Sequence, residues 1–359
     1  MNQDSFLFIP DISGFTEFVN ETEISHSRHI ISELLEVIIA SDTLGMRVTE
    51  IEGDAVVFFL KDESPGLGDV ANQARRTFEA FHTQLKRYER DRICPCGACR
   101  TAHRLSLKIV AHNGAIETLK VQDFEKPFGS DVILAHRLLK NTVEDTEYLL
   151  VTAGADGITE ELPSWAVPVQ GSTTYESLGR IPYHHIPLGP LRENVPEPPE
   201  LVNPAKSSRP ISRQVHVPLP IEETFELISN FDQRRLWNRK VDELVYDPDR
   251  VNRAGTRHQC VIDGTLIDFE TVSGDFGPDR MVYGERILGD TPVLDPTLYF
   301  ILETEPGGTR VCAEVHYKPK PFPRSLLAAL FRLGFSRQLP KTLEAIAEVG
   351  RATAQSTHE

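Results

Sequence analysis

Two groups of residues in this chain have the types and spacing to do chemistry. Asp11 ends the apolar run Phe6-Leu7-Phe8-Ile9-Pro10, and Ile12-Ser13-Gly14-Phe15-Thr16 follows at once. A carboxylate at the exit of a buried strand, ahead of a Ser-Gly turn, leaves the backbone N–H groups of Ser13, Gly14, Phe15 and Thr16 free to meet a phosphate. A second carboxylate, Asp54, follows Gly53 inside Val48–Phe59. Hard divalent cations such as Mg²⁺ or Mn²⁺ take oxygen ligands and share them with phosphates, so two carboxylates on adjacent strand ends suit a metal–nucleotide site. The other group is Cys94-Pro95-Cys96-Gly97-Ala98-Cys99 with His103, spaced C-x-C-x₂-C-x₃-H. Three thiolates and an imidazole can close a tetrahedral, structural Zn²⁺ site. A reduced, cysteine-rich loop without metal fits the same residues.

The elements that must position these groups can be read from periodicity. The Asp11 strand leads into a helix marked by Ile30, Ile31, Leu34, Leu35, Ile38 and Ile39. His26 and His29 fall on its first turns and read as surface or half-buried histidines. Residues 47–60 read as two strands joined at Glu52-Gly53-Asp54. A long helix over 69–90 follows, with Val70, Ala74, Phe78, Phe81 and Leu85 on one face. Residues 105–112 alternate as a half-buried strand, with 115–121 as the expected hairpin partner. Lys126-Pro127-Phe128-Gly129-Ser130-Asp131 reads as a turn, and a helix opens at Val132 with Ser130 or Asp131 as N-cap.

A Pro-rich stretch over 188–211 is the clearest boundary, and it predicts domains at 1–187 and 212–355. Beyond it, a strand, a short helical pair and a series of strands joined by Asp263-Gly264, Gly277-Pro278-Asp279 and Pro306-Gly307-Gly308 precede a long terminal helix. Pro340 is expected to kink or split that helix. A sheet wrapped over a helix leaves an apolar cavity. The formal charge of −15 argues against nucleic acid or an anionic membrane as a general partner. No run approaches a membrane span, and five cysteines without a disulfide pattern fit a cytoplasmic location.

The first half resembles the class III nucleotidyl cyclase catalytic domain. The matching residues are Asp11 to Thr16, Gly53-Asp54 with the apolar strand after it, Leu107 to Gly114, and Gly129 with Val132 to Leu138. The Cys cluster and the run Val132 to Asn141 are similar to a bacterial branch of that superfamily carried as a domain of unknown function. The resemblance implies a ferredoxin-like (βαββαβ) domain. It implies metal ligation by Asp11, Asp54 and the Ile12 carbonyl, with two Mg²⁺ or Mn²⁺ per site if the site is active. It also implies transition-state stabilisation by Arg137. The family's asparagine four residues before that arginine is Ile133 here. The adenine-reading lysine falls at Glu50, its aspartate partner at about Lys126, and the triphosphate lysine near Leu178, with Arg180 close by. Glu50 can accept from guanine N1–H and N2–H₂, so a different base is chemically open.

The second half resembles the START-like, helix-grip (SRPBCC) superfamily that includes polyketide cyclases. The match rests on Val217 to Phe225, Phe231 and Trp237. It implies an antiparallel sheet over a long C-terminal helix, holding a hydrophobic small molecule or lipid, with Phe269, Tyr283, Tyr299 and Phe300 as candidate lining. The fold class expected is therefore α+β throughout. Two functions follow: a homodimeric nucleotide cyclase-like protein that binds a metal–nucleoside triphosphate, with a ligand-sensing second domain, or a cyclase fold without turnover joined to a small-molecule carrier.

Overall fold

The computed structural model describes residues 4–356 except 23, 95, 153–161, 199, 202, 203, 205, 208, 273–275, 278, 323, 324 and 326. The chain divides into two units. One comprises Met1–Glu89 with Cys96–Pro198, the other Arg90–Pro95 with Pro199–Glu359.

The elements from the N-terminus through the first unit are β1 (Ser5–Ser13), α1 (Phe15–Glu21), α2 (Ile24–Ala40), β2 (Arg47–Glu52), β3 (Ala55–Leu60), α3 (Leu67–Asp91), α4 (Gly97–Thr101), β4 (Ser106–Gly114), β5 (Glu117–Val121), β6 (Phe124–Phe128), α5 (Ser130–Leu138), β7 (Tyr148–Val151), β8 (Val169–Tyr175) and β9 (Gly179–Pro187). The sheet order is β2-β3-β1-β4-β7-β9-β8. Its first four strands are antiparallel throughout. With the intervening helices they make the βαββαβ arrangement the sequence led us to expect. β1 is buried from Ser5 to Ile12, which explains why its run is continuously apolar rather than alternating. Leu7 and Ile9 face Val57, Phe59 and Ala135. Phe8 meets Phe58 edge-on at 6.1 Å. Ile30, Leu34 and Ile38 of α2 and Phe78 and Phe81 of α3 are fully buried.

The segment after β4 departs from the expected hairpin. β4 already has β1 on one side and β7 on the other, so residues 117–121 have no free edge of β4 to join. They pair instead with Phe124–Phe128 in a separate two-stranded arm. Lys126 therefore lies on a strand, opposite Leu119, and not in a turn. The reversal falls earlier, where Gln122 adopts φ 56°.

The second unit carries β10 (Ile211–Val217), α6 (Ile221–Ser229), α7 (Arg234–Trp237), β11 (Val241–Val245), β12 (Arg257–Ile262), β13 (Thr265–Val272), β14 (Phe276–Gly277), β15 (Arg280–Ile287), β16 (Leu294–Glu305), β17 (Gly308–Lys318) and α8 (Leu327–Ser356). Its strands run in the order β10-β17-β16-β15-β13-β12-β11, all antiparallel. Val217, Tyr283, Phe300 and Leu302 from the sheet, Phe225 from α6 and Leu339, Leu343 and Ile346 from α8 share one core. This is the helix-grip arrangement. Burying each such side chain contributes roughly 1.5–3 kcal/mol against conformational entropy. α8 continues unbroken through Pro340, so the expected split does not occur. Pro340 is exposed, while Leu339 and Leu343 beside it are buried and anchor the helix on both sides of the missing N–H. Ile93 joins this core, and the Ala254 N–H donates to the Asp91 carbonyl at 2.9 Å. Residues 91–94 thus pack with residues far along the chain. Among the described residues no helix is long and apolar enough to cross a membrane.

Candidate functional site

Asp11 lies near the end of β1, opposite Ala55 on β3 and Lys108 on β4. The β2–β3 turn brings Asp54 to the same place. Gly53 takes φ 65°, a conformation that favours glycine, and the Ile12 N–H donates to the Asp54 carbonyl at 3.0 Å. Asp11 is 9% exposed, and its carboxylate lies 3.0 Å from Lys108 Nζ. The Asp54 carboxyl is pushed above the ordinary aspartate range, first by burial and then by the negative charge of Asp11, with the Lys108 ammonium opposing. Two carboxylates thus share one ammonium, which leaves a net negative corner that a divalent cation can neutralise. Gly14, at φ 87°, turns the chain into α1. Ser13 and Phe15 are half-buried, and Thr16 is exposed. A side chain added at Gly53 would stand 3.9 Å from the Phe15 ring.

The remaining nucleotide-site residues lie on β2, β6 and α5, and His136 of α5 reaches Glu52 at 3.3 Å. Glu50 is half-buried on β2 and Lys126 is exposed on β6. The ion pair between those strands is Arg47–Glu125, at 3.2 Å. Ile133 is 56% exposed on α5, and Arg137, one turn on, is also exposed. The Arg137 carbonyl accepts the Tyr175 hydroxyl at 2.6 Å. Among the described residues no hydrogen bond or ion pair joins Arg137 to Asp11 or Asp54. Arg180 donates to Ser172 Oγ at 3.1 Å.

The cysteine segment is brought to His26 and not to His103. The ligand atoms of His26, Cys94, Cys96 and Cys99 all lie within 4.8 Å of one another. His103 is exposed on the 3₁₀ turn after α4. His26 Nδ1 is 3.2 Å from Cys96 Sγ, a contact between positions seventy residues apart that no local spacing announces.

In the second unit, a cavity of about 260 Å³ opens between the sheet and α8. Its apolar wall includes Trp237, Ile267, Phe269, Leu298 and Phe335, and Arg234 and Glu285 also line it. These two form a buried pair. Arg234 Nη1 donates to Glu285 Oε2 at 2.8 Å and Nη2 donates to Oε1. The Tyr283 hydroxyl donates to Oε1 at 2.6 Å. The Arg234 guanidinium also lies 4.9 Å from the Trp237 ring centroid. Burial alone would raise the Glu285 carboxyl, but the Arg234 guanidinium overrides it and holds it at about 2. His258 Nε2 is 3.4 Å from Glu285 Oε1. Burial pushes that imidazole down to about 4, so it is neutral near pH 7. Burial also pushes the Cys260 thiol up to about 11, which removes it as a nucleophile at neutral pH.

Of the expected lining residues, Phe269 does face the cavity. Tyr283 is fully buried beneath Glu285, and Phe300 sits in the core beside Trp237 at 5.9 Å. Tyr299 lies on the other side of the sheet, with Val272 and Val282. Sequence reasoning missed Arg234 and Glu285. The available signal was phase: Glu285 shares the inward parity of Met281 and Tyr283 on β15, an unusual place for a charge.

A protein of Mycobacterium tuberculosis (strain ATCC 25618 / H37Rv), named "Uncharacterized protein Rv2561/Rv2562", is 32% identical over 159 residues, which is 44% of this chain and 73% of the mycobacterial one. The chain belongs to the family of that protein. Within this member, residues 31–148 match the family model described as "Protein of unknown function (DUF2652)". Residues 209–350 match the model described as "Polyketide cyclase / dehydrase and lipid transport". The first of these spans Asp54, the cysteine segment and Arg137, and the second spans Arg234 and Glu285. Among solved structures, the adenylyl cyclase CyaB from P. aeruginosa is similar at 16% identity, covering 51% of this chain and 93% of its own, with a TM-score of 0.37. TTHA0849 from Thermus thermophilus is similar at 16% identity, covering 40% of this chain and 99% of its own, with a TM-score of 0.33.

Proposed function

We propose that the first unit binds a divalent metal–nucleoside triphosphate at the Asp11–Asp54 corner, and that the second unit holds an amphipathic small molecule or lipid in its cavity. The observation that carries the first part is the convergence of two carboxylates so close that one perturbs the other's proton affinity, with the Lys108 ammonium 3.0 Å from Asp11. Asp11, Asp54 and the Ile12 carbonyl would hold the cations. A bound pair of divalent cations supplies neutralisation of the phosphates and activation of the ribose 3′-hydroxyl. The chain's own part is to fix the carboxylates on two strand ends and to offer Lys108 as a balancing charge. Arg137 and Ile133 are exposed on α5 and so suit a site completed by a second copy of the chain, and the active species would be a homodimer.

Binding without efficient turnover is the reading favoured for this site. Ile133 stands where a donor is needed in the transition state, and losing one such preorganised donor costs roughly 3–4 kcal/mol. Glu50 and Lys126 stand in reversed charge order for reading adenine, so the base bound is open.

The ligand of the second unit is inferred from the cavity chemistry. An apolar wall takes a hydrocarbon or aromatic body, and the Arg234–Glu285 pair takes a hydrogen-bonding head. The test is incubation of the full chain with each of the four triphosphates and Mn²⁺, followed by measurement of both bound nucleotide and cyclic product. Mn²⁺-dependent binding with little or no cyclic product is expected. Efficient product formation that Asp54→Ala abolishes would overturn the binding-only reading. Absence of binding by any triphosphate would overturn the nucleotide site itself.

A further inference from the structure

An imidazole from α2 and thiols from the segment around α4 meet about one point. His26 Nδ1 lies 3.2 Å from Cys96 Sγ and 3.7 Å from Cys99 Sγ. Cys94, two residues before Cys96, brings a third sulfur to the same place, with every pair of ligand atoms within 4.8 Å. In a tetrahedral zinc site, ligand bonds of about 2.3 Å to sulfur and 2.0–2.1 Å to nitrogen set S···S separations of roughly 3.8 Å and N···S separations of roughly 3.5 Å. The two imidazole distances bracket the second value.

The local backbone also orients Cys96 towards the same point. Cys96 caps α4, and its sulfur accepts the Cys99 N–H at 3.4 Å. Three thiolates this close would repel one another without a cation. Three neutral thiols are weak donors and give no reason for one imidazole nitrogen to approach two sulfurs. Among the described residues no disulfide consumes these cysteines.

We propose that His26, Cys94, Cys96 and Cys99 form a closed, four-ligand structural zinc site. Soft sulfur donors with one imidazole select zinc over magnesium or manganese, so this site is chemically separate from the carboxylate corner. The ion ties the start of α2 to the segment leading into α4. His103, which the local spacing put forward, is not a ligand.

Elemental analysis of the full chain, purified without chelator and under reducing conditions, tests this. One zinc per chain is expected, falling to none in Cys96→Ser and unchanged in His103→Ala. Replacement by Co²⁺ should give the strong visible bands of a tetrahedral thiolate site. His26→Cys keeps a ligand at a position where His26→Ala removes one and can unfold the segment. It should retain the metal while shifting the sulfur-to-cobalt charge-transfer band. Reduced, folded protein that holds no zinc and takes up no Co²⁺ would overturn the proposal. So would a Co²⁺ spectrum unmoved by His26→Cys, or loss of metal in His103→Ala with retention in His26→Ala.

Discussion

Arg234→Met isolates one physical contribution in the second unit. The substitution keeps an unbranched apolar stem against Trp237 and removes the guanidinium that pairs with Glu285. Glu285 is 3% exposed, and its carboxyl is held at about 2 against an ordinary value of 4.5. That difference corresponds to on the order of 3 kcal/mol of favourable interaction with the ionised form. Removing one partner of a buried pair generally costs about 3–5 kcal/mol, because the other charge is left uncompensated. We therefore expect Arg234→Met to destabilise the second unit by about 3 kcal/mol at a pH of about 7.5. The Glu285 carboxyl should then rise above its ordinary range, so the deficit should narrow as pH falls and the group takes up a proton. The assay is urea unfolding followed by Trp237 fluorescence in a Trp165→Phe background, since these are the only two tryptophans. The double variant Arg234→Met/Glu285→Leu replaces the pair by apolar groups and should recover most of the loss. A loss under about 1 kcal/mol, or a double variant no more stable than the single one, would refute the reasoning.

Two further outcomes follow from the same structure. Glu147 is 5% exposed and accepts from His82 Nε2 at 2.8 Å and from Arg192 Nε at 2.7 Å. Burial alone would raise its carboxyl, but these bonds override it and hold the group at about 2. A depressed carboxyl contributes stability that is full above an ordinary value of 4.5 and is lost as pH falls towards about 2. Glu147→Gln should therefore cost roughly 1–3 kcal/mol near neutral pH and progressively less across that window. Thermal unfolding at a series of pH values reads this, and a deficit independent of pH would contradict it. Leu298→Trp should fill the second unit's cavity, so an amphipathic anionic dye such as anilinonaphthalene sulfonate should bind the wild-type chain and lose at least tenfold in affinity to the variant. Equal dye affinity would remove the cavity as the binding site.

The parts of the molecule that follow local rules could be read from the sequence. The continuous apolar run of β1, the Gly53-Asp54 bend and the turns at Asp263-Gly264 and Pro306-Gly307-Gly308 obey periodicity and turn chemistry, and the strands beside them form where those rules put them; the turn expected at Gly277-Pro278-Asp279 includes Pro278, which lies outside the described residues. The terminal helix was also legible, although Pro340 does not divide it, because buried Leu339 and Leu343 hold both flanks. What escaped depends on contacts between distant positions. The pairing of 117–121 with 124–128 rather than with β4 follows from β4 having both edges occupied, which no short window reveals. His26 reads as an ordinary helical histidine until the fold carries Cys96 and Cys99 to it. Ile93 and Cys94 join a core formed mostly by residues beyond 210. Arg234 and Glu285 look like surface charges by residue type, and only the inward phase of β15 hints otherwise. Asp11 and Asp54 stand between these cases: the sequence puts each at a strand end, and the pairing of β1 with β3 puts them side by side.

The central claim, that this corner binds a metal–nucleoside triphosphate, is tested most directly by calorimetric titration. The full chain would be titrated with each of the four triphosphates, with and without Mn²⁺, in parallel with Asp54→Asn. That variant removes a half-buried like charge beside Asp11, so it should fold with stability equal to or above that of the wild type. Binding of at least one triphosphate that requires Mn²⁺ and disappears in Asp54→Asn is expected. Binding that is unchanged in a folded Asp54→Asn variant, or no binding of any triphosphate to the wild-type chain at millimolar concentration, would contradict it.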